Sequence, residues 1–499
     1  MTSFDDDVAR AFDPERFRKE GHALVDALAD HLRAMDRGEG PVVPSRDHDR
    51  LLPEWPASFE APDPGAFAAR LADVVRASTK LHHPNYVGHQ VSSPLPDSAL
   101  AEMVAALLNN GMAVFEMGPV STSMERNLVK WAGAKLGFDA SCDGVMTSGG
   151  SAGNLTALLA ARQAKAGFDV WSKGANAGPP LTFLAGDQAH YSVRRSLQIM
   201  GLGDDAVEPV ASDASYRMRA DALAEAKGRA EAKGRRVVGV VASAGSTSTG
   251  AFDPLGPIGE FATANDLWFH VDGAHGGSFA LSSRYREKLR GIERADSVVW
   301  DAHKMMMMPA LVTFVVFRDG RRSYDAFAQE ASYLFAGGHP SLEWWNAGTR
   351  TLECTKRMMS LKVWMALATH GEAFFGAFVD RMVELSVGFA DTLRRAPDFE
   401  VPVAPENTIV CFRWIPPGVT LSPEEKDLLQ SRIRDGIVDS GDFYLVQTRL
   451  RDGVALRTTI INPRTTPAVL DALVLRVRKE GETVLRTIRP GGTQGSVPS

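Results

Sequence analysis

The stretch Trp300-Asp-Ala-His-Lys-Met-Met-Met-Met-Pro309 sets a lysine between two apolar runs, Ser297–Trp300 and Ala310–Phe317. Both runs read as buried strands. Desolvating an ammonium is costly, so Lys304 has two readings. Either it sits on an exposed turn with its charge reaching water, or it is kept neutral and used covalently, as Schiff-base lysines are. The stretch alone leaves both open, and the pattern around it says more. Leu181–Leu184, Val237–Ala242 and Trp268–Val271 are further short β-rich runs, and longer helical stretches alternate with them from about residue 95 to about residue 375. This alternation predicts an α/β fold with a mostly parallel central sheet flanked by helices. Ligands of such sheets bind beyond the carboxyl ends of the strands.

Working outward, residues 14–36 carry Phe17, Leu24, Leu28 and Leu32 on one helical face. One such stripe cannot bury itself, so residues 1–94 read as a helical arm. The large domain is expected over 95–375 and a small C-terminal α+β domain over 376–489, with short strands around Thr408–Arg413 and Val454–Ile461. Residues 490–499 are rich in Gly, Ser and Pro and are expected to be disordered. The net charge of −6 over 499 residues, with no basic tract, excludes a nucleic-acid surface. No apolar run is long enough for a bilayer. Three scattered cysteines and an acidic start without signal-peptide features point to a cytoplasmic protein.

Four segments carry candidate chemistry. Thr147-Ser-Gly-Gly-Ser-Ala-Gly-Asn154 precedes a helix-like run, Leu155–Arg162. Its glycines let backbone approach an anion, and a helix start offers free N–H groups, although a flexible turn would read the same way. Asp187-Gln-Ala-His190-Tyr-Ser192 follows a strand-like run, so His190 could stack on a flat ring or be a satisfied structural residue. Ser243-Ala-Gly-Ser-Thr-Ser-Thr-Gly250 supplies small hydroxyls or simply a turn. In Leu267-Trp-Phe-His-Val-Asp272-Gly-Ala-His-Gly276, Asp272 ends an apolar run. A buried carboxylate needs a partner, which could be a protonated pyridine nitrogen, or Asp272 caps the next helix. Gly273 and Ala274 leave room for a flat ring. The conjunction of anion cradle, stacking histidine, strand-end aspartate and lysine is what pyridoxal 5'-phosphate requires. With that cofactor, apolar surroundings would favour neutral Lys304, and the methionines would pack around the cofactor's floor.

From about His83-Pro-Asn-Tyr86 to Asn462-Pro-Arg-Thr-Thr466 the chain resembles the group II pyridoxal-phosphate-dependent amino acid decarboxylases, which act on glutamate, cysteine sulfinate, diaminobutyrate or aromatic amino acids. Gly250-Ala-Phe-Asp-Pro254, His270-Val-Asp272, Gly291-Ile-Glu-Arg-Ala295 and His303-Lys304 look like the glutamate and cysteine-sulfinate branch. Asn109-Asn-Gly-Met-Ala-Val114 and Thr351-Leu-Glu-Cys-Thr-Lys356 look like bacterial members. The resemblance implies a fold-type I architecture and a homodimer with active sites at the interface, the N-terminal helices interlocking. It also implies roles. Lys304 would hold the cofactor as a Schiff base, Asp272 would pair with the pyridine nitrogen, and His190 and Ala274 would flank the ring, His190 also acting in catalysis by assisting protonation. Ser151, Ala152 and Gly153 would bind phosphate with help from His303, and Thr247 would lie on the cofactor's hydroxyl side. Arg457 would meet the substrate carboxylate, and His89 and Gln90 would begin the substrate pocket. No metal is implied.

The chain departs from the family at two places. Asp301 stands where many members have Asn, and an anion beside a phosphate needs an intervening cation or must point away. Counting from Tyr333-Leu-Phe335 to Cys354, Trp345 falls where relatives carry a loop tyrosine that returns a proton to the substrate. An indole has no hydroxyl to donate. The expected function is α-decarboxylation of an L-amino acid to its amine, Trp345 lying at the substrate. Oxidative decarboxylation–deamination to an aldehyde is the alternative, and a non-catalytic homologue is disfavoured by the intact Lys304, Asp272 and His190.

Overall fold

The computed structural model describes residues 4–55, 64–327 and 344–489. Its central sheet has seven strands: β1 (Asp143–Thr147), β2 (Leu181–Gly186), β3 (Val207–Val210), β4 (Arg236–Ser243), β5 (Trp268–Asp272), β6 (Ser297–Asp301) and β7 (Thr313–Phe317), in the order β1-β7-β6-β5-β4-β2-β3. β7 runs antiparallel to both its neighbours, and every other pairing is parallel. The strands read as continuous apolar runs because both faces are covered. Along β6, Val298 and Trp300 enter the core on one side and Val299 the core on the other; along β7, Phe314 and Val316 oppose Val315 and Phe317. The helix Gly150–Lys165 covers the second face with Leu155, Leu158 and Leu159. The helices Pro119–Lys135 and Ser360–Arg395 cover the first, with Leu128, Val129, Val363 and Phe375 among their contributions.

A second, antiparallel sheet follows: β8 (Phe399–Glu400), β9 (Ile409–Trp414), β10 (Val446–Leu450) and β11 (Gly453–Thr459), in the order β10-β11-β9-β8. Two helices, Pro423–Ser440 and Pro467–Ile488, accompany it. The first opens on a reciprocal capping box between Ser422 and Glu425 and ends at Gly441, whose φ of 76° suits a residue without a side chain.

The structure differs from the sequence reading in several places. The Gly-rich segment after β1 is not a turn ahead of the helix. Gly149, with φ 118°, makes the turn alone, and the helix begins at Gly150. The division expected at 375/376 falls a few residues past Gly371, whose φ of 73° and ψ of 164° break Ser360–Arg395 into two helical stretches. The arm helix spans Pro14–Asp36, capped by the Asp13 side chain, and Phe17 and Leu28 of its apolar stripe are exposed. Tyr333-Leu-Phe335 and the tail 490–499 lie outside the described residues. Among the described residues no helix is long and apolar enough to cross a membrane.

A buried ion pair ties β1 to the chain that follows residue 344. Glu125 and Lys356 pair directly; Glu125 also accepts the Met146 N–H at 3.0 Å, and Lys356 donates to the Met146 carbonyl at 2.7 Å. Lys356→Met strands a buried carboxylate and is expected to cost about 3–5 kcal/mol, part of it recovered by adding Glu125→Leu, which removes the stranded charge but leaves the Met146 N–H and carbonyl unpartnered. Urea unfolding of both variants checks this; a double variant as unstable as the single one contradicts it.

Candidate active site

A cavity of about 270 Å³ opens where the carboxyl ends of β4, β5 and β6 face the first turn of the helix Gly150–Lys165. The topology puts it there, because parallel strands all deliver their following loops to one edge. Ser151, His190, Thr247, Asp272, Ala274, His303 and Lys304 all line it. Ala152 and Gly153 share the helix turn but do not. Gly153 faces the sheet, where an added Cβ would come within 3.1 Å of Val299 and 3.2 Å of Val315. Gly273 is small for a similar reason: its Cβ would meet the Val299 carbonyl at 2.9 Å, so β6 sets its size.

At the helix end of the cavity lies Asp301, fully buried at the end of β6. Its Oδ2 is 2.9 Å from Lys304 Nζ and 3.6 Å from His303 Nε2, and its Oδ1 accepts the Thr313 hydroxyl at 2.6 Å. Burial opposes its ionisation, but Lys304, His303 and Thr313 outweigh burial and hold the carboxyl below its usual range. The cation that Asp301 needs is therefore Lys304 itself. Gly150 is the price of the arrangement, since a Cβ there would stand 3.1 Å from both Asp301 oxygens. The surroundings of Lys304 are thus not purely apolar. Met305, Met306, Met307 and Met308 do not line the cavity; they are buried in the core on one face of the sheet, with the lysine turned away from them.

At the other end Asp272 terminates β5. Its Oδ2 accepts the Asn154 amide at 2.9 Å and its Oδ1 the Ala274 N–H at 3.1 Å. Asn154 also donates to Ser192 Oγ at 2.9 Å and contacts His270 Nε2 through Oδ1 at 3.0 Å. His190 caps the helix Tyr191–Ile199, its Nδ1 receiving the Ser192 N–H at 3.3 Å and lying 2.8 Å from Ser192 Oγ. Burial lowers the His190 pKa, against the opposing pull of Asp272. Sequence alone assigns no role to Asn154, Ser192 or His270. Asn154 and His270 sit inside motifs read for their neighbours, and nothing in the chain announces that they meet.

The small sheet reaches the site from the side. Arg457, buried on β11, donates to the Thr247 carbonyl and keeps its Nε without a partner among the described residues. His275 lines the cavity, with Nε2 3.0 Å from Thr408 Oγ1 and Nδ1 unpartnered among the described residues. His89 stacks at a tilt on Tyr444, ring centroids 5.6 Å apart, and burial and then the charge of Arg457 lower its pKa. Gln90 is buried. Trp345 lies under the Arg126 guanidinium at 4.3 Å and against Phe115 at 5.4 Å. None of His89, Gln90, Trp345 and Arg457 lines the cavity within this chain.

Two imidazoles here bear on acid stability. Burial lowers His270 to about 4 and His275 to about 3 from 6.5, so both stay neutral in the folded chain and gain a proton on unfolding. Their contribution is complete above about pH 6.5 and is lost as pH falls through about 4 and then about 3. Between those limits His275→Gln should lose about 1.4 kcal/mol less per pH unit than the wild type. Unfolding curves at a series of pH values test this, and parallel losses in the two proteins would refute it.

The Pyridoxal-dependent decarboxylase conserved domain matches residues 69–415. The L-2,4-diaminobutyrate decarboxylase of Acinetobacter baumannii is 30% identical over 426 residues, 83% of each chain. The aromatic-L-amino-acid decarboxylase of Bacillus atrophaeus is 29% identical, covering 94% of this chain and 96% of its own. The crystal structure of mouse CSAD superposes with a TM-score of 0.88 at 26% identity, over 94% of this chain and 99% of that one. The side chains present fit pyridoxal phosphate: a buried carboxylate held by donors at one end, a lysine with its ammonium in the cavity, and a helix start with open N–H groups. The chain belongs to the pyridoxal-phosphate-dependent decarboxylases and is a carboxy-lyase.

Proposed function

We propose that this enzyme removes the α-carboxylate of an L-amino acid as CO2 and releases the corresponding amine, with pyridoxal phosphate held by Lys304. The observation that carries this reading is that Lys304 and Asp272, from the ends of adjacent strands, face one cavity. Bound there, the cofactor supplies an electron sink for the pair left on the α-carbon. The residues around it have the chemistry to hold it. Asp272, kept in place by Asn154 and Ala274, would hold a proton on the ring nitrogen. His190 and Ala274 would bracket the ring, and Ser151 with the helix start would take the phosphate, His303 and Thr247 standing beside it. Arg457 would receive the substrate carboxylate, with His89 and Gln90 at its flank. Asp301, 2.9 Å from Lys304 Nζ, would hold the lysine's ammonium whenever it is not bonded to the cofactor.

A second outcome is supported by Trp345. Counted along the chain it falls where a proton-donating tyrosine is expected, it has no hydroxyl, and its ring face packs on Arg126. An aldehyde formed with oxygen is the alternative product. One experiment separates the two. The proteinogenic amino acids, diaminobutyrate and cysteine sulfinate are incubated with holoenzyme in air and under nitrogen, and the products are read by mass spectrometry. An amine in both atmospheres is expected; an aldehyde that needs air supports the second reading. Lys304→Ala is expected to reduce turnover by about 10³-fold or more, and full activity in that variant would sink both.

The apolar surface near the site supports a homodimer. Leu100, Met103, Leu107 and Leu108 of the helix Pro96–Leu108 are exposed, as are Phe17 and Leu28 of the arm, and Leu311 both lines the cavity and faces outward. Exposed apolar side chains clustered on one helix are what a subunit interface would cover. Sedimentation should give a dimer for the wild type and a dissociating species for the pair Phe17→Glu, Leu28→Glu; unchanged sedimentation of the variant would remove the arm from the interface.

A further inference from the structure

The polar groups behind Asp272 and His190 form one continuous chain. Trp268 Nε1 lies 2.9 Å from Ser297 Oγ, which lies 2.8 Å from His270 Nδ1. His270 Nε2 lies 3.0 Å from Asn154 Oδ1, and the Asn154 amide nitrogen reaches both Asp272 Oδ2 and Ser192 Oγ at 2.9 Å. Ser192 Oγ ends the chain on His190 Nδ1 at 2.8 Å. Trp268, Ser297, His270, Asn154 and Ser192 are all buried, so no solvent substitutes for a missing partner.

The direction of every hydrogen follows from groups that have no choice. The Asp272 carboxylate only accepts, so Asn154 turns its NH2 to it and its Oδ1 to His270 Nε2. His270 Nε2 therefore donates, and in the neutral ring Nδ1 accepts. The Ser297 hydroxyl, which accepts from the Trp268 indole, gives its own hydrogen to that Nδ1. Both Asn154 hydrogens are then committed, one to Asp272 and one to Ser192 Oγ. The Ser192 hydroxyl in turn donates to His190 Nδ1, and the Ser192 backbone N–H, which can only donate, points at the same nitrogen. Two donors on Nδ1 leave the His190 proton on Nε2.

We propose that Asn154 is a positioning residue at the branch of a one-directional hydrogen-bond relay, which holds Asp272 in its ring-facing rotamer and fixes His190 as the Nε2–H tautomer. A proton could be added to His190 only at Nδ1, where two donors already converge. His190 is thereby a stacking surface and a fixed donor, not a base and not the source of the proton that replaces CO2. The charged groups facing it are Asp272, Asp301, Lys304 and Arg195, and burial outweighs the two carboxylates in keeping the ring neutral. This rests on pyridoxal phosphate seating against Asp272.

The test compares holoenzyme carrying ¹⁵N-labelled histidine in the wild type, Asn154→Ala, Asn154→Asp and Ser192→Ala, with His190→Gln identifying the His190 signals. Pyridoxal phosphate affinity is measured in parallel from its absorbance. Wild-type His190 should be protonated on Nε2 alone from about pH 6 to about pH 8. Asn154→Ala should weaken cofactor binding about tenfold or more. Asn154→Asp, though nearly the same size, should weaken it further. It sets a second carboxylate against Asp272 and turns the Ser192 hydroxyl away from His190. A packing role for Asn154 predicts the reverse order, Asp close to wild type and Ala worse. That order, or a wild-type His190 protonated on Nδ1, overturns the relay. Should the Asn154 variants fail to fold, Ser192→Ala decides: a His190 tautomer balance and pH titration identical to wild type overturn the proposal, and a detectable Nδ1–H population or a raised His190 pKa supports it. A wild type that takes up no pyridoxal phosphate overturns the reading of the site and the relay with it.

Discussion

Asp301 carries its charge inside the protein, and four pieces of chain meet to compensate it. β6 delivers the carboxylate, β7 supplies the Thr313 hydroxyl, the connection between them supplies Lys304 and His303, and the helix after β1 presents Gly150 against it. An uncompensated buried carboxylate costs several kcal/mol, so these elements are held in mutual register by more than apolar packing. The lysine's place in the cavity follows from the same constraint, because its ammonium is the charge that answers Asp301.

The two carboxylates at neighbouring strand ends are treated differently, and the difference assigns their work. Asp301 faces a cation and a hydroxyl, so its charge is answered from within the chain. Asp272 is held by an amide and a backbone N–H, which orient it but bring no formal charge. That leaves Asp272 suited to a cationic partner from outside the chain. The networks around both are built from the strand ends, the first helix turns and the connection after β6.

Much of the architecture was legible in the sequence because buried parallel strands leave a plain signature. The runs around Val237, Trp268 and Ser297 fall on β4, β5 and β6, and the arm helix was readable from its single apolar stripe. The site was legible where chemistry needs a particular residue type at a strand end, as with Lys304 and Asp272. It was less legible where a residue's meaning comes from a partner far along the chain. Asn154 contacts Asp272 and His270, more than a hundred residues away. The methionine run looked like a cofactor floor and is core: it lies on the connection between β6 and β7, where no strand or helix period says which side a side chain takes. The Gly-rich segment looked like a loop because glycine marks turns and tight helix starts alike.

The antiparallel strand β7 lies between β1 and β6, although β1 is the first strand of the sheet along the chain and β7 the last. During synthesis β1 and the helix behind it emerge long before the strand that joins them to the rest. Closing that gap means bringing together segments separated by most of the large sheet's sequence, a slow step in any chain dominated by distant contacts. The hydrogen-bonding edge of β1 must wait for it. A nascent chain halted before β7 would therefore expose an unpaired strand edge and the start of the Gly150 helix, a state prone to aggregation.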